Sequence, residues 1–152
     1  EVTIPSGVSD GQYLRLGGEG EMGSHGMPNG DLYVVINVKE HNVFDREDDD
    51  LYCNTELPLG TAVLGGEIKV PTINGTATLS IPKGTQSGTV FRLRDQGMPH
   101  LNGHGRGDQL VKVIVEIPSK LSKEQEKLMK AFTGEAKTKK GFFERLKEKI
   151  VN

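Results

Sequence analysis

The sequence predicts a mainly β protein: two related small β-sandwich domains, the first present only as its C-terminal half, followed by a short α-helical tail. Three observations carry this: an internal repeat, apolar residues at a period of two, and a change to helical spacing after Pro118. Residues 1–41 laid over residues 78–118, a constant shift of 77, match without gaps at twelve positions. They include Pro5/Pro82, Gly11/Gly88, Arg15/Arg92, Gly30/Gly107, Asp31/Asp108 and Val34/Val111. Turn formers and alternating apolar positions dominate the match, so the two copies should share a backbone plan. Only the second copy is preceded by residues 42–77, and the first residues already lie in an apolar alternation, so the chain is expected to derive from something longer.

In the first copy, Val2-x-Ile4, Leu14-x-Leu16 and Val34-x-Ile36-x-Val38 read as half-buried strands. Their counterparts are Leu79-x-Ile81, Phe91-x-Leu93 and Val111-x-Val113-x-Val115. Further strands are expected over 50–58, 66–71 and 76–81, the last two joined through Asn74-Gly75, since both central residues of a type I′ turn need positive φ. Beyond Pro118, Ser122-Lys-Glu-Gln125 is a capping box, and Leu128, Met129 and Phe132 form one helical stripe, predicting a helix over about 122–132. Residues 133–141 read as a polar linker. Phe142, Phe143, Leu146 and Ile150 make a second short amphipathic stretch. The domain plan is therefore 1–41, 42–118 and 119–152.

Composition narrows the function. Nineteen Lys and Arg against 21 Asp and Glu leave a net charge of −2, without the broad positive field that nucleic-acid binding uses. No apolar run reaches membrane-spanning length. The single cysteine, Cys53, has no disulfide partner in the chain, and with four scattered histidines it makes a poor zinc set, so a reducing, cytoplasmic setting is expected.

Motifs that look chemical have plainer explanations. Gly18-Glu-Gly20-Glu-Met-Gly23 fits a phosphate-loop pattern but has no helix after it and places carboxylates where phosphate would sit, so its glycines are turn residues. In Arg106-Gly107-Asp108 the repeat aligns Gly-Asp with Gly30-Asp31, leaving Arg106 incidental, and Asn74-Gly-Thr76 reads as a hairpin rather than a glycosylation acceptor. The acidic run from Asp45 to Asp50 lacks the glycine of a calcium loop, and Gly103, Gly105 and Gly107 exclude the helix that would align His100 and His104 on a metal. No nucleophile, paired-carboxylate or P-loop set stands out, so no enzyme is expected. What remains is a binding module that captures extended peptides by strand addition, or a purely structural repeat protein.

A series of motifs then carries a resemblance. Ile4-Pro-Ser-Gly7, Asp10-Gly11-Gln12 and Gly30-Asp31-Leu32-Tyr33-Val34-Val35 are followed by His41-x-x-Phe44-x-Arg46 and Asp49-Asp50-Leu51. Leu64-Gly65-Gly66, Val70-Pro71-Thr72, Ile81-Pro-x-Gly84-Thr85-Gln86-Ser87-Gly88, Phe91-Arg92-Leu93 and Gly107-Asp108 complete the order. Over residues 1 to about 132 the chain resembles the C-terminal region of bacterial DnaJ-type J-domain co-chaperones. Two departures are local: Glu47-Asp48 stands where Asp-Gly is usual, and Asp95-Gln96 where Gly-Lys is usual.

The resemblance implies client-binding β-sandwich domains and a dimerisation segment. Its partners would be unfolded polypeptide clients, a second copy of the chain as a homodimer, and a DnaK-type ATPase engaged mainly through a J domain that these residues do not include. The chain has no His-Pro-Asp motif to stimulate that ATPase. No cofactor is expected here, zinc belonging to an upstream cysteine-rich module. Carried over by position, the client pocket includes Val2 and Val34, and alternation adds Ile36, although all three also fit a plain core reading. Dimerisation is assigned to Leu128, Met129, Phe132, Phe142, Phe143, Leu146 and Ile150. The alternative is a scaffold and dimeriser without client binding of its own.

Overall fold

The computed structural model describes residues 2–101 and 103–135. Strands come first, in the order β1 (Tyr13–Leu16), β2 (Leu32–Val35), β3 (Asp45–Glu47) and β4 (Asp50–Pro58). A short helix α1 (Leu59–Leu64) leads into β5 (Gly66–Thr72), β6 (Gly75–Ile81), β7 (Val90–Leu93) and β8 (Gln109–Glu116), and α2 (Lys123–Glu135) follows. The chain divides into two compact units, one ending at Glu116 and one beginning at Ile117.

The second copy is a two-layer β structure. One layer is a four-stranded sheet in the order β3-β4-β8-β7, and the other is the antiparallel hairpin β5-β6. Between them lie Leu51, Cys53 and Leu57 of β4, Val111 and Val113 of β8, and Val70, Leu79 and Ile81 of the hairpin. Phe44 and Ala62 of α1 close the edges of this core. Leu57, Val70, Val111 and Val113 are fully buried, each contributing roughly 1.5–3 kcal/mol by removal from water. Across the layers, Gln109 on β8 donates through Nε2 to the Pro71 carbonyl of β5 at 2.7 Å and to Cys53 Sγ at 3.3 Å. Its Oε1 is buried without a protein partner.

Hydrogen bonds of the repeat recur in both copies. β1 and β7 lie 77 positions apart, as do the starts of β2 and β8. Gly11 N–H donates to the Ile36 carbonyl at 2.8 Å, and Gly88 N–H to the Val113 carbonyl at 2.7 Å. Ile36 N–H donates to Gln12 and Val113 N–H to Thr89, at 2.8 and 2.9 Å. Beyond the strands, Asp10 accepts the Val38 N–H at 2.8 Å, as Ser87 accepts that of Val115 at 3.0 Å.

Several elements differ from the sequence expectation. Residues 2–4 are irregular rather than a strand. Their counterparts on β6 pair with β5, and without such a ladder an extended segment has nothing to hold it. The expected strand over 34–38 is confined to Leu32–Val35, whereas β8 runs on to Glu116 because β4 pairs along its other edge, in parallel, from Leu51↔Gln109 to Pro58↔Glu116. The β5-β6 hairpin forms, but its two loop residues are Ile73 and Asn74, since Thr72 pairs with Gly75. Gly75 takes φ of 142° inside the strand, and neither loop residue has positive φ, so the turn is not type I′ about Asn74-Gly75.

Arg106 is not incidental: its Nε donates to the Gly97 carbonyl at 3.0 Å and closes the loop between β7 and β8. The short elements β3 and α1 were not foreseen. The capping box forms as read, with Ser122 N–H on Gln125 Oε1 at 2.9 Å and Gln125 N–H on Ser122 Oγ at 3.2 Å.

Candidate polypeptide-binding edge

The β1-β2 hairpin pairs Tyr13↔Val35, Leu14↔Val34, Arg15↔Tyr33 and Leu16↔Leu32. Paired residues share a face, so Leu14, Leu16, Leu32 and Val34 point one way, while Tyr13, Arg15, Tyr33 and Val35 point the other. Asp31 secures the loop end of the hairpin, accepting Arg15 Nε at 2.7 Å and the Gly18 N–H at 3.1 Å. The Gly18 N–H, then the Arg15 hydrogen bond, holds the Asp31 carboxyl below its ordinary range.

In the second copy, the face corresponding to Leu14, Leu16, Leu32, Val34 and Ile36 is roofed by β5-β6. Val111 and Val113 there are fully buried. In the first copy, Ile36 is 8 % exposed, Val34 is half-buried and Leu32 is 43 % exposed. Among the described residues no strand pairs with the second edge of β2.

That edge is armed. Ile36 spends its N–H and C=O on β1-side groups, so by antiparallel alternation the main-chain groups of Tyr33 and Val35 point outward. Tyr33 and Val35 are 58 % and 50 % exposed, and Met22 and Met27 on the hairpin loop are exposed too. The equivalent edge of β8 is the one β4 occupies. Chemically, such an edge offers main-chain hydrogen bonds and an adjoining apolar surface to an extended chain.

The structure thus brings Val34 on β2 and Ile36, just past its end, together, whereas Val2 lies apart from any strand, 41 % exposed. Sequence reasoning missed Leu32, Tyr33 and Val35. The signal was present as the remaining residues of the Gly30-Asp31-Leu32-Tyr33-Val34-Val35 run, but alternation alone does not tell which edge stays unpaired. An open cleft between the copies, lined by Asp10, Val38, Phe44, Ile73 and Met98 among others, mixes apolar and acidic side chains. In the tail, Leu128, Met129 and Phe132 are exposed on α2, and Phe142, Phe143, Leu146 and Ile150 lie outside the described residues.

Cys53 is buried with an amide on its sulfur, and among the described residues no group of three or more His, Cys, Asp or Glu could hold a metal ion. No helix among the described residues is long and apolar enough to cross a membrane.

Comparison with known proteins agrees with this architecture. The family profile "DnaJ C terminal domain" matches residues 1–118. The chain is 50 % identical over 135 residues to "Chaperone protein DnaJ" of Clostridioides difficile (strain 630), covering 89 % of this chain and 35 % of that protein. It is 52 % identical over 152 residues to the protein of that name from Opitutus terrae, covering 97 % of this chain and 40 % of the relative. With that of Desulfitobacterium hafniense (strain DCB-2) it is 49 % identical over 156 residues, covering 99 % and 41 %. It therefore spans well under half the length of these relatives. The profile covers more than three quarters of the chain, and the chain belongs to the DnaJ C-terminal domain family.

Proposed function

We propose that this chain is the client-binding and dimerisation region of a DnaJ-type co-chaperone. Extended, non-native polypeptide adds as a strand along β2 and rests apolar side chains on Leu32, Val34 and Ile36. What supports this is the match of residues 1–118 to the DnaJ C-terminal domain family, together with the apolar row of Leu32, Val34 and Ile36 on one face of the β1-β2 hairpin segment. Binding involves no covalent chemistry and no cofactor held by these residues. Zinc belongs to a module outside them. In the whole protein, delivery of clients to a DnaK-type ATPase runs through a J domain, in the cytoplasm, and α2 with the segment beyond it joins two copies.

A fluorescence titration with an unfolded, apolar-rich peptide tests the reading. The chain should bind; residues 42–152 alone should not; and Val34→Asp should weaken binding by about tenfold or more, because a carboxylate set against an apolar client is desolvated without a partner. Equal binding by residues 42–152 would move the site off β2. Unchanged binding in a Val34→Asp variant with an intact circular dichroism spectrum would remove Val34 from it.

A further inference from the structure

The motif His41-x-x-Phe44-x-Arg46 is not used by the client edge, yet it is tightly built. Phe44 enters the core of the second copy, and His41 packs on it with ring centroids 5.1 Å apart. Two residues on, Arg46 reaches back into the first copy. Its Nη1 donates to the Val8 carbonyl at 2.8 Å, and its Nη2 to the Gly7 carbonyl at 2.8 Å and Ser9 Oγ at 3.3 Å. Its Nε holds the Asp48 carbonyl at 2.6 Å, and Asp49 lies 3.8 Å away as counter-ion. The side chain is only 19 % exposed, so these bonds are made largely out of water.

The turn it grips is held from the other side too. Gly7 is buried at φ of 85°, and a Cβ there would come within 2.1 Å of the Pro99 carbonyl oxygen. Pro99 belongs to the β7-β8 loop, which Asp49 anchors by accepting the Met98 N–H at 2.8 Å and pairing with His100 Nδ1 at 2.7 Å. The 7–9 turn is therefore wedged between two elements of the second copy.

The equivalent turn of the second copy is held differently, its Gly84 and Thr85 N–H groups donating to the Val63 and Ala62 carbonyls of α1 at 3.2 and 3.0 Å, with no arginine on its carbonyls among the described residues. The Cβ position of Gly84 is open, and its carbonyl accepts Gln86 Nε2 of the same turn. Among the described residues no strand ladder joins the copies. The grip is thus a feature of the joint and not of the repeat.

We propose that Arg46 is a positioning residue that locks the Gly7–Ser9 turn and makes the two copies one rigid arm, so that a polypeptide held on β2 is carried at a fixed place relative to the second copy. The second clause rests on the client-binding reading above; the lock itself does not. Arginine is required because its fork spans two adjacent carbonyls while a third N–H holds Asp48, which a lysine ammonium cannot do at once.

The test is a distance distribution by pulsed electron resonance between spin labels at exposed Ser24 and Thr78, in a Cys53→Ser background of the whole chain. The parent should give one narrow peak. Arg46→Ala should broaden it by about twofold or more, Arg46→Lys should fall between, and Arg15→Ala, which breaks an ion pair inside the first copy, should leave it narrow. A folded Arg46→Ala variant with the parent's narrow peak overturns the lock. If Arg46→Ala does not fold, Arg46→Lys decides by the same criterion. Because no client enters this measurement, a chain that fails to bind peptide yet broadens on Arg46→Ala would sink the client reading and leave the lock standing.

Discussion

Asp108 accepts both Arg92 Nε and the Asp95 N–H, and 77 residues earlier Asp31 accepts Arg15 Nε and the Gly18 N–H in the same arrangement. Each carboxylate ties the end of one strand to the turn leaving its neighbour. Positions 18 and 95 both sit at positive φ, so the main-chain N–H points at the carboxylate in each copy. The repeat is therefore a repeat of hydrogen bonds.

These two carboxylates should make stability depend on acid. Hydrogen bonds from Asp95, then Arg92, hold the Asp108 carboxyl below its ordinary range, as Gly18 and Arg15 do for Asp31. Folded-state values below the unfolded value mean that the contribution is present above the ordinary range near pH 4 and is lost as pH falls through the folded values. Urea midpoints measured from pH 7 down to about pH 3 should fall. In Asp31→Asn/Asp108→Asn the fall should be shallower in the acid window, and an identical slope would refute the assignment.

Asp48 and Asp95 adopt φ of 53° and 57°, a region that favours glycine, at the two places where the sequence departs from the pattern it resembles. Both serve through the main chain, Asp48 by its carbonyl to Arg46 and Asp95 by its N–H to Asp108. Glycine keeps those bonds while relieving the Cβ clash, at some cost in unfolded-state entropy. Asp48→Gly and Asp95→Gly should each raise stability by about 0.5 kcal/mol, seen as a higher urea midpoint. A lower midpoint would show that the carboxylates themselves stabilise the turns.

Gln109 bridges the two layers of the second copy from full burial. Gln109→Ala opens a cavity and strands the Pro71 carbonyl, and should cost about 2–4 kcal/mol. Gln109→Met fills the space but still strands that carbonyl, and should cost about 1–2 kcal/mol. Chemical denaturation ranks the two. Equal losses would mean that the carbonyl finds another donor and that volume alone matters.

Self-association should reside in the tail. Leu128 and Phe132 are 65 % and 61 % exposed on α2, and burying one Phe is worth roughly 1.5–3 kcal/mol before the entropy of association is subtracted. Sedimentation at micromolar concentration should show a dimer for the whole chain and a monomer for residues 1–119. Monomers in both cases would mean that the stripe does not dimerise, and dimers in both would put the interface in the β body.

Much of the local plan could be read from residue order. The shift of 77 placed β1 with β7 and β2 with β8 before any coordinate, and Ser122 and Gln125 announced the start of α2. What escaped was short or weakly patterned. β3 is three charged residues, Asp45–Glu47, and α1 is six residues with a glycine and no side-chain cap. Neither has a period long enough to register; both are held by what they pack on. Of the candidate site, Val2 and Val34 came from the family resemblance by position and Ile36 from alternation, which also puts Tyr33 and Val35 on the opposite face of β2.

By itself the sequence determined the things that depend on neighbours a few residues apart: strand positions, turn glycines, the cap of α2 and the duplicated plan of the two copies. The tertiary structure alone decided the parallel pairing of β4 with β8, the irregular path of residues 2–4 and the grip of Arg46 on the Gly7–Ser9 turn. Each joins residues far apart in the chain. A strand takes half its main-chain hydrogen bonds from whatever lies on its second side, and no periodicity within the strand records what that partner is.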